Sequence, residues 1–414
     1  MKQLFINHTR FGGGGATIAA ERLAAGLRSK GHDVTWMVKD IGVATADYPS
    51  DYSQIKPRLF DRLLALPSKD RLTISPLRTQ TFSLKGEAQF KDSKIIHLHN
   101  LHPDYFNFLT LPSLSKAKPV VWTIHDMWPI TGHCGFSIDC ERWRSGCGKC
   151  PYLNAYPGVS HDWTSTEWKL KRWALSRSRI HVITPSQWLA DCVREGIGRD
   201  LPVSVLPYGL DTQTYSPSNQ AKCKEQLALE PKRFTILLAS ANLRDPRKPQ
   251  DILCHAINAV AHEHPDRLQV LTFGNGDLRN SIDARIPVTA LGHLASDTEK
   301  VRAYSSADIT LFSSRGDNLP LIIQESMACG VPVIANRIGG IPDMVKNETT
   351  GLLVEGLTSE EFHAAISRLI SNPSLLFRLK SAAREFAVKT FELENHVQQT
   401  ESLYENWYES FNAN

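Results

Sequence analysis

The stretch Ser313–Ala335, SSRGDNLPLIIQESMACGVPVIA, decides the fold. An apolar strand ending at Phe312 runs into a polar loop. A helix is expected to begin near Pro320, with Asp317 or Asn318 as its cap and the proline at an early helical position. A second apolar run, Val331–Ala335, follows. That order puts the loop at the carboxyl end of a parallel strand, where open α/β sheets bind ligands. Free N–H groups at the helix start, reinforced by the helix dipole, suit a diphosphate. Asp317 stands at the helix entrance and Glu325 about two turns further in, roughly on one side. Two carboxylates so placed can accept hydrogen bonds from sugar hydroxyls. On spacing alone, a capped helix with one exposed acid fits the stretch at least as well.

The same alternation extends in both directions. Apolar runs occur at Gln3–Asn7, Val34–Val38, Lys94–His99, Val120–His125, Ile180–Thr184 and Val203–Pro207. They recur at Phe234–Ala239, Leu268–Phe273, Val288–Leu291, Asp308–Phe312, Val331–Ala335 and Leu352–Val354. Short β-rich runs separated by helical stretches imply parallel sheets covered on both faces. The chain has 414 residues, too many for one hydrophobic core. Pro207, Gly209 and Pro217 punctuate a boundary at Asp211–Ser218. The expected division is 1–212, 213–392 and a helix over 393–414. In that helix Leu403, Tyr404, Trp407, Tyr408 and Phe411 form an apolar stripe that packs back on the first domain.

A hydrophobic fraction of 42% and a charged fraction of 22% are those of an ordinary globular protein, and the net charge of +4 does not point to nucleic acid. No apolar run is long enough to span a membrane. With no signal-peptide pattern at the start, the expected location is a reducing cytoplasm, where the eight cysteines read as thiols or metal ligands before disulfides.

Four further segments carry chemistry. Ala239–Leu253, ASANLRDPRKPQDIL, follows a strand and brings Arg244, Arg247 and Lys248. Such cations can neutralise a departing diphosphate without a metal. A basic surface turn is the plainer reading. Gly12–Gly15 precede a helix expected over Ala16–Lys30, so Gly13 and Gly14 let a backbone approach a ligand. His97, His99 and His102 cluster at a strand end, read as buried or acceptor-facing histidines in preference to metal ligands, and His125-Asp126 ends the next strand. In the insertion 133–151, Cys134, Cys140, Cys147 and Cys150 suit a tetrahedral structural zinc. An iron–sulfur cluster or two disulfides fit the same four residues.

The motif around Asp317 and Glu325 resembles the acidic pair of GT-B glycosyltransferases of family 4, Glu-x7-Glu followed by small residues and Gly-x-Pro-Val. The likeness continues through Gly339, Gly340, Ile341, Pro342 and Asp343 to Gly351, and upstream through Gly292, Tyr304 and Ala307–Asp308. Trp122–Leu153 and the Asp-Asn-Leu-Pro form of the acidic motif are similar to colanic-acid and related exopolysaccharide glycosyltransferases. The likeness is weakest over Ile41–Lys91.

The resemblance implies a GT-B fold, with two doubly wound Rossmann-like domains facing across a cleft. It implies a retaining enzyme that moves a hexose from a UDP- or GDP-sugar to a saccharide acceptor in exopolysaccharide, capsule or lipopolysaccharide synthesis, with no catalytic metal. It places Asp317 on the donor hexose and Glu325 on the ribose, beside Asn318, Leu319 and Pro320. It gives Lys248 the family lysine, His125 the transferred sugar, and Gly13, Gly14, His99 and Asp126 the acceptor side. The sequence departs from the family in having Asp at 317, Asn242 where an arginine is usual, and Pro249 for glycine; either Arg244 or Arg247 substitutes for that arginine, Arg244 in preference, or the diphosphate is less strongly stabilised.

Trp168–Arg179 carries five basic residues with Trp168 and Trp173 interleaved. Such a helix can lie on an anionic membrane, where a lipid-diphosphate-linked acceptor would sit, or pack its tryptophans inside the first domain. Two rival readings are a non-catalytic nucleotide-sugar-binding protein and a zinc-bearing nucleic-acid binder.

Overall fold

The computed structural model describes residues 1–11, 13–40, 51–56, 79–101, 105–264 and 266–413. Gly12, His102 and most of the weakly matching stretch 41–91 lie outside them.

Among the described residues, two parallel sheets organise the chain. The first has seven strands: β1 (Lys2–Thr9), β2 (Asp33–Asp40), β3 (Tyr52–Gln54), β4 (Ile95–Leu98), β5 (Val120–Thr123), β6 (Ile180–Thr184) and β7 (Val203–Val205). Their order is β3-β2-β1-β4-β5-β6-β7. The second has β8 (Phe234–Asn242), β9 (Leu268–Asn275), β10 (Val288–Ala290), β11 (Ile309–Phe312), β12 (Val333–Asn336) and β13 (Gly351–Val354). Their order is β10-β9-β8-β11-β12-β13. Every residue of β4, β5, β11, β12 and β13 is buried, which is why these strands read as unbroken apolar runs. β3 is an addition that the sequence pattern did not announce: a short, half-exposed edge strand.

The chain forms two compact units, Met1–Gly209 with Glu394–Asn414, and Leu210–Leu393. One core gathers around Ile96, Leu98, Phe106, Phe108, Trp122 and Trp128. The other gathers around Ile236, Leu238, Ile257, Val270, Leu311 and Phe362. In the first sheet the path reverses between β1 and β4; in the second it reverses between β8 and β11. At such a switch point the neighbouring connections leave in opposite directions and open a crevice beyond the strand ends.

The last helix, Leu393–Asn412, is held to the first sheet by its aromatic residues. The Tyr404 hydroxyl and His97 Nδ1 are hydrogen-bonded at 2.5 Å, and Trp407 Nε1 donates to the Val120 carbonyl at 3.0 Å. Tyr404 is the member of the apolar stripe that is buried; Leu403, Trp407, Tyr408 and Phe411 are half-buried.

The basic helix Thr164–Leu175 corrects its sequence reading in part. Trp168 and Lys171 are buried, while Trp173 is exposed. Lys171 Nζ donates to the carbonyls of Trp128 (2.7 Å) and Thr131 (3.0 Å) and lies 3.7 Å from the centroid of the Trp128 ring. Burial pulls its pKa down to about 8, so it is still mostly cationic at neutral pH. A buried ammonium survives because carbonyl dipoles and an aromatic face replace its water.

Candidate functional site

The second unit gathers most of the sequence-predicted donor residues at the β8/β11 switch point. The loop after β8 is built on Asn242, whose Oδ1 accepts from Arg244 N at 2.9 Å. Asp245 then takes both the backbone N–H of Arg247 (2.9 Å) and its guanidinium (2.8 Å). Burial alone would raise the Asp245 pKa, but the Arg247 hydrogen bonds outweigh it and hold the carboxyl below its usual range. Arg247 is therefore engaged inside its own loop. Arg244 is exposed and, among the described residues, forms no ion pair. Its stem lies beside Gly276, whose φ of 115° belongs to the region that favours glycine.

The loop after β11 is fastened to this one. Arg315 N donates to the Arg247 carbonyl at 2.8 Å, and Ser313 Oγ to the Pro249 carbonyl at 3.0 Å. Asn336, at the end of β12, clamps Ser314 with two bonds, 2.9 and 2.8 Å. These ties bring Lys248 Nζ to 3.7 Å from Asp317 Oδ2 and 4.9 Å from the centroid of the Phe312 ring. Gly339, at φ 54°, sits so close beneath the loop that a Cβ there would collide with the Asp317 carbonyl oxygen.

The expected cap is corrected. The helix is Leu321–Ala328, Pro320 precedes it as the cap residue, and no side chain caps it. Asp317 Oδ1 instead accepts from Asn318 N at 2.9 Å. The first helical N–H groups, at Leu321 and Ile322, have no intrahelical acceptor and are available to an anion. Glu325, buried one turn in, accepts from the Tyr304 hydroxyl at 3.1 Å. Tyr304 is fully buried with its ring edge-on to Phe273, and burial followed by the Glu325 charge pushes its pKa well up, so the phenol remains a donor. Sequence reasoning did not find Phe312, Asn336 or the Tyr304–Glu325 pairing as parts of the site. Tyr304 alone carried a signal, as part of the family likeness.

In the first unit, Gly13 packs against Thr9 and Thr17, whose hydroxyls are 3.0 Å apart, with no room for a Cβ. Gly14 is open and forms the uncapped start of the helix Gly15–Ser29. His97 is occupied by Tyr404 and by Thr123 Oγ1 (2.7 Å), so both its nitrogens serve packing. His99 Nδ1 meets His125 Nε2 at 3.3 Å, and His125 Nδ1 meets the Tyr208 hydroxyl at 2.6 Å. His99 Nε2 is buried without a partner. Burial, then neighbouring histidines, hold His97 and His99 well below the ordinary histidine range, so both are neutral. Asp126 Oδ1 accepts from Trp128 N at 2.8 Å, shaping the turn that leads into the cysteine-rich insertion.

In that insertion all four cysteines line one hollow with His133, and none is in a disulfide. Burial raises Cys134 to about 12 and Cys147 to about 11. As the side chains stand, no three His, Cys, Asp or Glu groups among the described residues converge on a metal position.

Two doubly wound parallel-sheet units are the architecture of the GT-B glycosyltransferases. Solved structures share it over nearly the whole chain. Sucrose-phosphate synthase from Thermosynechococcus elongatus superposes with a TM-score of 0.73 at 19% identity, covering 99% of this chain and 100% of that one. Anabaena HepE in complex with UDP gives 0.70 at 18% identity, covering 98% and 100%. Residues 13–214 match the description Glycosyltransferase Family 4, and residues 234–372 match Glycosyl transferases group 1. The colanic acid biosynthesis glycosyl transferase WcaC of Escherichia coli strain K12 is 32% identical over 262 residues, 59% of this chain and 60% of that protein. D-inositol 3-phosphate glycosyltransferase of Rhodococcus jostii is 29% identical over 197 residues, 45% of this chain and 43% of that protein. The chain thus spans 60% and 43% of the length of these curated relatives, less than two thirds of each. The chain belongs to the group 1 glycosyltransferases of family 4.

Proposed function

We propose that this chain moves a hexose from a nucleoside-diphosphate sugar to a saccharide acceptor with retention of anomeric configuration, in the synthesis of an exopolysaccharide, capsule or lipopolysaccharide. The observation that carries the reading is the second unit's switch point, where Lys248, Asp317, Glu325 and the bare start of the Leu321–Ala328 helix are held by two stitched loops. The diphosphate lies against Leu321 and Ile322 N–H, with Lys248 and Arg244 countering the charge that grows as the sugar leaves. Asp317 takes a hexose hydroxyl and Glu325 the ribose. The names of WcaC and of the HepE–UDP complex support, respectively, the polysaccharide context and a UDP donor.

The first unit binds the acceptor. The acceptor hydroxyl attacks the anomeric carbon on the face that the diphosphate leaves. The new C–O bond forms as the old one breaks, and the hydroxyl proton passes to a diphosphate oxygen. His125, fixed by Tyr208 and His99, orients the sugar. Exposed Trp173, with Lys169, Arg172 and Arg177 on the same helix or just after it, supports docking on an anionic membrane that carries a lipid-diphosphate acceptor, in keeping with work at the cytoplasmic face.

The test is a thermal-shift series with UDP-, GDP- and ADP-sugars, followed by product analysis on lipid-diphosphate saccharides. UDP-sugar should raise the melting temperature and yield a product of retained configuration. Indifference to all three donors overturns the reading. Binding without transfer or hydrolysis across a broad acceptor panel would instead favour a non-catalytic nucleotide-sugar-binding protein, a reading that the departures at Asn242 and Asp317 support.

A further inference from the structure

We propose that the hollow of the cysteine-rich insertion is a structural zinc site in which His133 is a ligand, together with Cys147, Cys150 and a third thiolate from Cys134 or Cys140. The inference is independent of the sugar-transfer reading.

Three observations converge on it. The first is the turn Cys147-Gly148-Lys149-Cys150, where Gly148 has φ 135° and Lys149 φ 47°. Two successive left-handed residues curl the chain so that thiols three positions apart line the same hollow. Ile138, between Cys134 and Cys140, also has positive φ, at 57°. A β-branched residue there is strained, and such strain persists where surrounding structure over-determines it. Lys149 and Ile138 thus put two uncommon backbone conformations into one short insertion.

The second observation is the environment of the ligating atoms. Gly132 N donates to Cys147 Sγ at 3.2 Å. N–H donors to sulfur are the outer partners that stabilise a metal-bound thiolate. His133 Nδ1 is 3.1 Å from the Pro157 carbonyl, which can only accept, so the proton of the neutral ring sits on Nδ1. Nε2 then presents a lone pair to Cys150 Sγ, 3.3 Å away. A thiol can donate to that nitrogen. Displacing that thiol proton with a metal leaves sulfur and nitrogen donors side by side for one cation. A histidine fixed by a backbone carbonyl through one nitrogen, with the other facing thiols, has the usual arrangement of a zinc ligand.

The third observation is charge. Lys171 is fully buried next to the hollow, and the charges that act on it are that of buried Glu167 first, then those of Cys134 and Cys147. Zinc with three thiolates and one neutral imidazole carries a net charge of about −1, which an ammonium beside it helps to offset. The ligands have still to turn inward, since as they stand they do not share a point. For each thiol that is rotation about one bond, between staggered positions. Zinc fits the donor set because soft sulfur and imidazole in a four-coordinate closed site favour it over oxygen-seeking metals, and the closed set makes the site structural.

The test is elemental analysis of the full chain purified under reducing conditions, with thiol titration before and after chelation. About one zinc per chain is expected, with the insertion thiols protected until the metal is removed. Cobalt substitution should give the visible bands of a tetrahedral site with three sulfurs and one nitrogen. His133→Gln should lose most of the metal, as should Cys150→Ser, with nucleotide-sugar binding to the second unit retained. Metal-free protein whose four thiols react freely, an intact mass showing two disulfides, or iron in place of zinc would overturn the proposal. A His133→Gln chain that keeps its full zinc, or a cobalt spectrum with four sulfurs, would remove His133 from the site. The wild-type metal and cobalt measurements stand even where a variant fails to fold.

Discussion

Lys248 and Asp317 lie 3.7 Å apart, a loose pair whose members are both partly accessible. Its contribution to stability is small, as for exposed ion pairs generally. It holds the ammonium over Phe312, and under the proposed function that ammonium faces the donor diphosphate. Replacing Lys248 with alanine should therefore lower transfer by ~10²–10³-fold, the range seen when one preorganised electrostatic contact to a developing anion is removed. The melting temperature should barely move. Steady-state rates with a saturating UDP-sugar check this, and a Lys248→Ala chain with near-normal turnover removes the lysine from the mechanism. Arg247 behaves differently from its neighbour because Asp245 already holds it. That ion pair spans two residues within one loop, and residue type alone did not reveal which of the three basic side chains would be spent on shaping the loop.

At the scale of elements, the site depends on how closely the loop after β11 can settle on the turn at Gly339. With φ at 54° and the Asp317 carbonyl where a Cβ would stand, Gly339→Ala must move one loop or the other. Donor affinity should fall about tenfold or more through displacement of Asp317, with unfolding cost of about 1–3 kcal/mol from the strained residue. Titration of UDP-sugar binding by calorimetry measures the first and denaturant unfolding the second. Unchanged affinity would show that Asp317 is not positioned by this contact. Much of this element was legible in advance. The strands around it were unbroken apolar runs, and the loop lay where strand gave way to helix. The cap was misjudged because Asp317 and Asn318 are good capping types, yet Pro320 starts the helix bare and Asp317 Oδ1 turns to its neighbour's N–H. β3 escaped notice because a three-residue polar edge strand has no periodicity to read. The burial of Lys171 could not be read from the basic helix, because its carbonyl acceptors lie some forty residues away in sequence.

Across the whole molecule, the two units should respond differently to acid. In the first unit His97 and His99 are buried and His396 is half-buried, and desolvation lowers all three, His396 to about 4. Their unfolded forms take up protons near pH 6.5, while the folded forms resist until much lower pH. The unfolded state then binds more protons, so stability present above about pH 6.5 is lost as the pH falls towards 4. In the second unit, burial would raise Asp308, but Lys380 and Lys224 outweigh it and hold it below its ordinary value. That contribution is present above the unfolded carboxylate pKa and is lost only at still lower pH. Scanning calorimetry at neutral pH and at about pH 5 should show the transition of the first unit falling while that of the second holds. Equal shifts in both would contradict the assignment. The helix that carries Tyr404 and Trp407 has a consequence for biosynthesis as well. The first unit has all seven strands in hand by Val205 but cannot receive the helix that covers its sheet until translation has passed Leu393, whereas the second unit is complete at Leu393. During synthesis the first unit should therefore gain its last packing contact after the second unit already has its whole sequence.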